Sequence, residues 1–152
     1  MIDNITRVVD GELESIGCQK LSLPMLQKKE LWSKTGRLEA MKDSIFCVSD
    51  YEMLLAPTAE EEITQLVAEY VHSRRQMPLR LYQIGSKFRN EARPRAGLMR
   101  AREFLMKDLY TFDENLERAR ETFDEVSASY RRIFQRLSIP FVEAQASTGA
   151  MG

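Results

Sequence analysis

Two apolar-rich runs, Leu79–Phe88 and Phe104–Phe112, flank a loop centred on Pro94 and Gly97. That pattern predicts a long β-hairpin, and it constrains the fold of this chain more than any other feature. Arginines stand along both arms and at the tip. From Pro78 through Lys107 there are eight Lys/Arg against two Glu, whereas the whole chain carries a net charge of −1. A nearly neutral protein that gathers its cations on one hairpin points to a phosphate-bearing ligand there. Arginines also solvate exposed edge hairpins, and charge alone does not choose between these readings.

The flanking segments supply the rest of one domain, which is the expectation for 152 residues. Ile2, Ile5, Val8, Val9, Leu13 and Ile16 repeat at helical spacing, with Gly17 as the stop. Cys18 to Leu23 alternates as a strand ending at Pro24. Leu26 to Trp32 reads as a short helix broken by Ser33–Gly36, with Trp32 as a core or lid anchor. Ser44–Val48 and Met53–Ala56 read as strands joined by the turn Ser49-Asp50-Tyr51-Glu52. Thr58 and Glu61 form a capping box, and the three glutamates favour the positive end of the helix dipole. Ile63, Leu66, Val67, Tyr70 and Val71 make that helix's buried stripe. The box accounts for Thr58 and Glu61 and leaves the Glu60 carboxylate without a task. Asp113 caps a long helix from Glu114 to about Leu137, whose inner face is Leu116, Ala119, Phe123, Val126, Tyr130, Ile133, Phe134 and Leu137. Pro140 ends it, and Phe141–Ala146 is a final strand. Mixed helices and antiparallel strands define an α+β fold.

Several function classes find no support. The two cysteines, Cys18 and Cys47, lack metal-ligand spacing and are too few for a disulfide framework, so a reducing compartment is expected and no metal site is assigned. The single histidine, His72, has no evident partner for nucleophilic catalysis. No apolar run approaches a membrane span, and Asp3, Arg7 and Asp10 interrupt what a secretory leader would keep apolar. Neither glycine-rich nucleotide fingerprint is present.

The hairpin nevertheless has the means to hold a nucleotide. The planar arginine fork presents paired, charge-assisted donors to phosphate or carboxylate, and Arg89, Arg93, Arg95, Arg100 and Arg102 offer five. Period-two alternation puts Phe88 and Asn90 on one face and Arg89 and Glu91 on the other. On the second arm Arg100, Arg102 and Phe104 share a face if the strand is regular. Phe104 then suits either a stacked purine or the core.

These residues carry a resemblance. Phe88-Arg89-Asn90-Glu91, the Arg-Pro-Arg loop, Gly97-Leu98-Met99-Arg100 and Arg102-Glu103-Phe104-Leu105-Met106-Lys107-Asp108 resemble motif 2 of the class II aminoacyl-tRNA synthetases. The wording is similar to that of the bacterial and mitochondrial type of prolyl-tRNA synthetase. Leu31-Trp32 with Gly36-Arg37, Pro57-Thr58-Ala59-Glu60-Glu61, and Gln145-Ala146 with Thr148-Gly149 resemble three further family segments in the same order.

The resemblance implies a class II antiparallel sheet flanked by helices, incomplete here. It implies a motif 1 region at about 1–24, a proline-reading loop at 57–61, a motif 2 hairpin at about 79–112 and a long helix at about 114–137. It implies activation of proline with ATP and Mg²⁺ to prolyl-adenylate, followed by transfer to tRNA(Pro). By family role, Arg89 meets the α-phosphate and the amino-acid carboxylate and is the catalytic residue. Glu91 orients the adenosine end, Arg100 holds the γ-phosphate and Phe104 stacks on adenine. Thr58 and Glu60 bind the imino group, Arg93 and Arg95 face the tRNA, and the motif 1 region makes a homodimer. Cytoplasm and mitochondrial matrix are both expected compartments.

The chain departs from the family in four places. Ala56 and Ala59 stand where glycine and histidine are common, and Ala96 replaces an aromatic residue before Gly97. Motif 3 is not in the sequence, so 1–152 is expected to be the first part of a catalytic domain and inactive by itself. A non-catalytic, synthetase-derived dimerising or regulatory protein is the alternative, and a threonine or serine enzyme is a weaker one.

Overall fold

A computed structural model describes residues 1–95 and 99–145. The elements in chain order are helix α1 (Ile2–Glu14), strands β1 (Gln19–Lys20) and β2 (Leu26–Lys28), and helices α2 (Lys29–Lys34) and α3 (Arg37–Ala40). Strands β3 (Phe46–Val48) and β4 (Met53–Leu55), helix α4 (Glu60–Tyr70), strands β5 (Leu79–Phe88) and β6 (Glu103–Phe112), and helix α5 (Leu116–Arg136) follow. The chain divides into two compact units, residues 1–21, 71–82 and 109–145 in one, residues 22–70 and 83–108 in the other. The α+β class is as expected, and the strands β5 and β6 match the two predicted arms almost to the residue.

In the first unit, α1 buries Val9 and Leu13. Gly17, at φ 77°, ends the helix region because a left-handed residue is needed there and glycine adopts it without strain. The Cys18 N–H reaches the Leu13 carbonyl at 3.0 Å and the Gly17 N–H the Glu14 carbonyl at 2.9 Å, the bond pattern of a Schellman motif. Parallel pairing of Gln19 with Leu81 and Lys20 with Tyr82 then sets β1 on β5. The buried Tyr82 hydroxyl donates to Asp10 at 2.9 Å, and burial together with that bond raises its pKa.

Helix α5 differs from its expected face. Its buried residues are Thr122, Ser129 and Ile133, while Phe123 is 70% exposed and Leu116 is also exposed. The inward hydroxyls are satisfied: Thr122 donates to Asp113 at 2.7 Å and Ser129 to the Glu12 carbonyl at 3.2 Å. Asp113 is thereby occupied, and the cap is Asn115, whose side chain accepts from the Arg118 N–H. Residues 141–145 form no strand, and Ala146 lies outside the described residues.

In the second unit, β2, β4 and β3 make an antiparallel sheet in that order, with Gln27 and Cys47 both opposite Leu54. Trp32, Met41, Ile45 and Leu54 form the core, with Leu31 and Leu38 packed against it. Leu26–Lys28 is thus a strand and not a helical turn. Its inward residue is the polar Gln27, which hid the alternation. The strand expected over Cys18–Leu23 is only two residues long, because the Leu23 N–H goes to the Gln83 side chain and not to a ladder. Helix α4 stops at Tyr70, which is exposed, and its buried positions are Glu61, Ile63 and Val67.

Glu12 joins α1 to α5, accepting from Arg132 Nε at 2.6 Å and Arg136 NH1 at 3.0 Å. The Arg132 bond first, then the Arg136 bond, hold its carboxyl below the usual carboxylate range. A depressed folded pKa contributes stability that is present above the unfolded value and is lost as pH falls through the folded one. Glu12→Gln is therefore expected to lower the urea midpoint near neutral pH and to shrink the further loss on acidification to about pH 3. Equal acid sensitivity in both proteins would remove Glu12 from this role.

Candidate active site

The stretch 56–61 and the loop end of the hairpin come together within the second unit. Ala56, Pro57, Thr58, Ala59 and Glu61 are buried, and Glu60 faces outward. Backbone carbonyls in such a buried loop need donors, and these come from two places, the loop end of β5 and strand β2. The Phe88 N–H bonds to the Ala56 carbonyl at 2.9 Å, Arg89 Nε to the Pro57 carbonyl at 3.1 Å, and Gln27 Nε2 to the Thr58 carbonyl at 3.0 Å. The Trp32 indole N–H in turn donates to Gln27 Oε1 at 2.9 Å.

The first intrahelical bond of α4 runs from the Ile63 N–H to the Ala59 carbonyl. Ala59 is therefore at the N-cap, one residue later than a capping box on Thr58 and Glu61 requires. Glu61 instead accepts from Arg37 NH1 at 2.9 Å and from the Thr35 hydroxyl at 3.2 Å. Glu60 is not left over, because the same Arg37 NH1 lies 2.6 Å from Glu60 Oε2. The Arg37 guanidinium rests on the Trp32 ring, 5.1 Å from its centroid. Next on α4, burial holds the Glu62 carboxyl above the usual carboxylate range, opposed by its hydrogen bond with the Lys28 backbone.

On the hairpin, Arg89 lies over the face of Phe104 at 5.4 Å from the ring centroid. Beyond the end of β5, the Asn90 N–H and side chain bond to the carbonyls of Ser44 and Asp43 at 2.9 and 3.1 Å. Glu91 pairs with Arg100 at 3.2 Å. Arg95 and Arg100 form an antiparallel bridge, and both are exposed, as is Arg93. Because β6 begins at Glu103, Arg100 and Arg102 precede the regular strand. Ala96–Leu98 lie outside the described residues.

Arg89 thus reaches the Thr58 loop at Pro57 and lies over Phe104, Glu60 is held through Arg37, and Glu91 and Arg100 hold one another. The arrangement sets the Arg89 guanidinium against a loop that also carries the outward-facing Glu60. Such a pair suits a zwitterion next to a phosphate. Gln27, Thr35, Arg37 and Asn90 carried no role in the sequence. Within the arms of the hairpin, buried Lys87 pairs with Asp108 at 3.0 Å, and Asp108 also accepts from Gln83 at 3.0 Å. Lys87 and Asp108 are charged residues within the two arms, as are Arg80 and Lys107, and nothing in the sequence singles out this pair. Among the described residues, no group of three or more His, Cys, Asp or Glu gathers as a metal site.

The α+β frame belongs to a known class. The chain is a member of the class II aminoacyl-tRNA synthetases, residues 46–152 matching the tRNA synthetase class II core domain of the G, H, P, S and T group. Within that class its relatives are proline–tRNA ligases, bacterial and mitochondrial. It is 47% identical over 150 residues to the enzyme of Chlamydia felis, covering 95% of this chain and 26% of that protein. It is 45% identical over 143 residues to a probable mitochondrial proline–tRNA ligase of Schizosaccharomyces pombe, covering 92% of this chain and 34% of that one. The chain therefore spans about a quarter to a third of these relatives. Its fold is that of Giardia lamblia prolyl-tRNA synthetase solved with prolyl-adenylate, with a TM-score of 0.82 over 90% of this chain and 29% of that one at 21% identity.

Trp32→Phe removes the donor to Gln27 Oε1 and strands a buried acceptor, which is expected to cost about 1–3 kcal/mol in urea unfolding. A loss below about 0.5 kcal/mol would show that Gln27 satisfies itself in another way.

Proposed function

We propose that this chain supplies the amino-acid pocket and the motif 2 hairpin of a proline–tRNA ligase. The observation that carries the reading is the bond from Arg89 Nε to the Pro57 carbonyl, which fixes the hairpin arginine against the Thr58–Glu60 loop. Proline binds with its ring nitrogen, positively charged, toward Thr58 and the Glu60 carboxylate, and with its carboxylate toward Arg89. A carboxylate oxygen attacks the α-phosphorus of ATP, the bond to the β,γ-phosphates breaks, and pyrophosphate leaves. Arg89 lies where negative charge gathers in that displacement, and a pre-placed guanidinium lowers the barrier without reorganising. A ribose hydroxyl of tRNA(Pro) then takes the prolyl group from the adenylate and AMP leaves.

Glu91 and Arg100 take the adenosine end and the γ-phosphate, and Phe104 receives adenine. Phe104 already carries Arg89 over its face, and Arg100 already pairs with Glu91. In this reading Arg100 exchanges that carboxylate for phosphate. Mg²⁺, when bound with the nucleotide, would neutralise part of the phosphate charge. Exposed Arg93 and Arg95 face tRNA. The motif 1 region, with Ile2 and Ile5 exposed on α1, makes the homodimer contact. Among the described residues no helix is long and apolar enough to cross a membrane. In this reading the compartment is cytoplasm or mitochondrial matrix, as the bacterial and mitochondrial relatives suggest.

In the full-length protein, proline-dependent exchange of pyrophosphate into ATP is expected, with threonine and serine inert. Arg89→Ala should lower kcat/KM for exchange by about a hundredfold or more, in the range found for losing one transition-state donor. Exchange that persists at the wild-type level in Arg89→Ala would defeat the assignment.

A further inference from the structure

We infer that Arg37 is a positioning residue for amino-acid selection, one that holds the Glu60 carboxylate where the cationic nitrogen of the substrate must meet it. The inference rests on the assignment of Glu60 made above and adds the group that acts through it. One guanidinium nitrogen, Arg37 NH1, contacts both Glu60 Oε2 at 2.6 Å and Glu61 Oε1 at 2.9 Å. One cation against two carboxylates leaves the cluster with one negative charge in excess, which favours a cationic guest. The two carboxylates differ sharply in access. The Glu61 side chain is 1% exposed and Glu60 54%, so the unbalanced charge is presented by Glu60.

Arg37 has little freedom to let Glu60 wander. Its side chain is 16% exposed and lies on the Trp32 ring, and Trp32 is tied through Gln27 to the Thr58 carbonyl. Both ends of the Thr58–Glu60 segment are therefore fixed by one connected set of side chains. Among the described residues, Arg37 Nε and NH2 and Glu61 Oε2 are buried without partners, so the shared NH1 makes all of the guanidinium's polar contacts there. Removing Arg37 alone would strand the Glu61 charge, which makes a simple alanine variant a poor probe.

The test compares three variants of the full-length protein by pyrophosphate exchange, reading kcat and the KM values for proline and ATP separately. Arg37→Met combined with Glu61→Gln removes the buried pair without leaving either charge alone. It is expected to raise the proline KM about tenfold or more, with the ATP KM and kcat within about twofold of wild type. Arg37→Lys keeps the charge but not the planar stacking group, and is expected to raise the proline KM about threefold. Should the double variant not fold, Arg37→Lys decides alone. An unchanged proline KM, or equal rises in the proline and ATP KM values, overturns the inference. Glu60→Gln separates the two levels. If it leaves the proline KM unchanged, the Glu60 assignment itself fails; if it raises the KM while the Arg37 variants do not, only the positioning role fails.

Discussion

A buried glutamine amide sets the geometry of the second unit. Gln27 is fully buried, accepts from the Trp32 indole and donates to the Thr58 carbonyl. A buried amide without its hydrogen bonds is costly, so Gln27 fixes how far apart Trp32 and the Thr58 loop can lie. Trp32 in turn is a core residue, packed with Met41, Ile45 and Leu54. The apolar core thus determines where a polar loop stands, and the loop carries the side chains assigned to the amino acid. Rigid support of this kind is what a binding loop needs to hold its groups within a few tenths of an ångström.

Against that fixed loop, the arginines of the hairpin differ in their surroundings. Arg89 is partly buried, anchored to Pro57 and laid over Phe104, so its orientation is largely set before any ligand arrives. Arg100 sits in solvent in a pair with Glu91, and an exposed pair of this kind is worth little and is easily exchanged. Arg93 and Arg95 are exposed at the loop. What reads as one basic patch in the sequence is a graded set, from a pre-set guanidinium to open ones. That grading matches the division between a reacting phosphate, a terminal phosphate and an RNA backbone that the proposed function requires. The buried Lys87–Asp108 pair stiffens the strands below them without adding to the exposed charge.

Much of this was legible in the sequence wherever apolar periodicity and buried faces coincide. Helix α1, strands β3 and β4 and both hairpin arms follow their patterns. The reading failed where polar residues point inward. Gln27 disguised β2 as part of a helix, and Thr122 and Ser129 occupy the inner face of α5 while Phe123 stays outside. The caps failed for a related reason: Glu61 and Asp113 were assigned to helix ends, yet each has a distant partner, Arg37 and Thr122, that outbids the local bond. Thr58, Glu60, Arg89, Glu91, Arg100 and Phe104 were identified through the wording of a motif, and the fold gathers them in one unit. Arg37 was legible only as part of the Gly36-Arg37 segment and carried no role, because only the folded chain brings it to Glu60, 23 residues away.

The central claim is that the Thr58–Glu60 loop and Arg89 form a single pre-set pocket for an amino acid joined to a phosphate. A crystal structure of the full-length protein with a non-hydrolysable prolyl-adenylate analogue tests it most directly. The account predicts the ring nitrogen on Glu60, the phosphate-equivalent group on Arg89, and the hydrogen bonds of Gln27 to Trp32 and Thr58 unchanged from those described. An analogue bound away from the Thr58–Glu60 loop, or a loop refolded with Gln27 released, would contradict it.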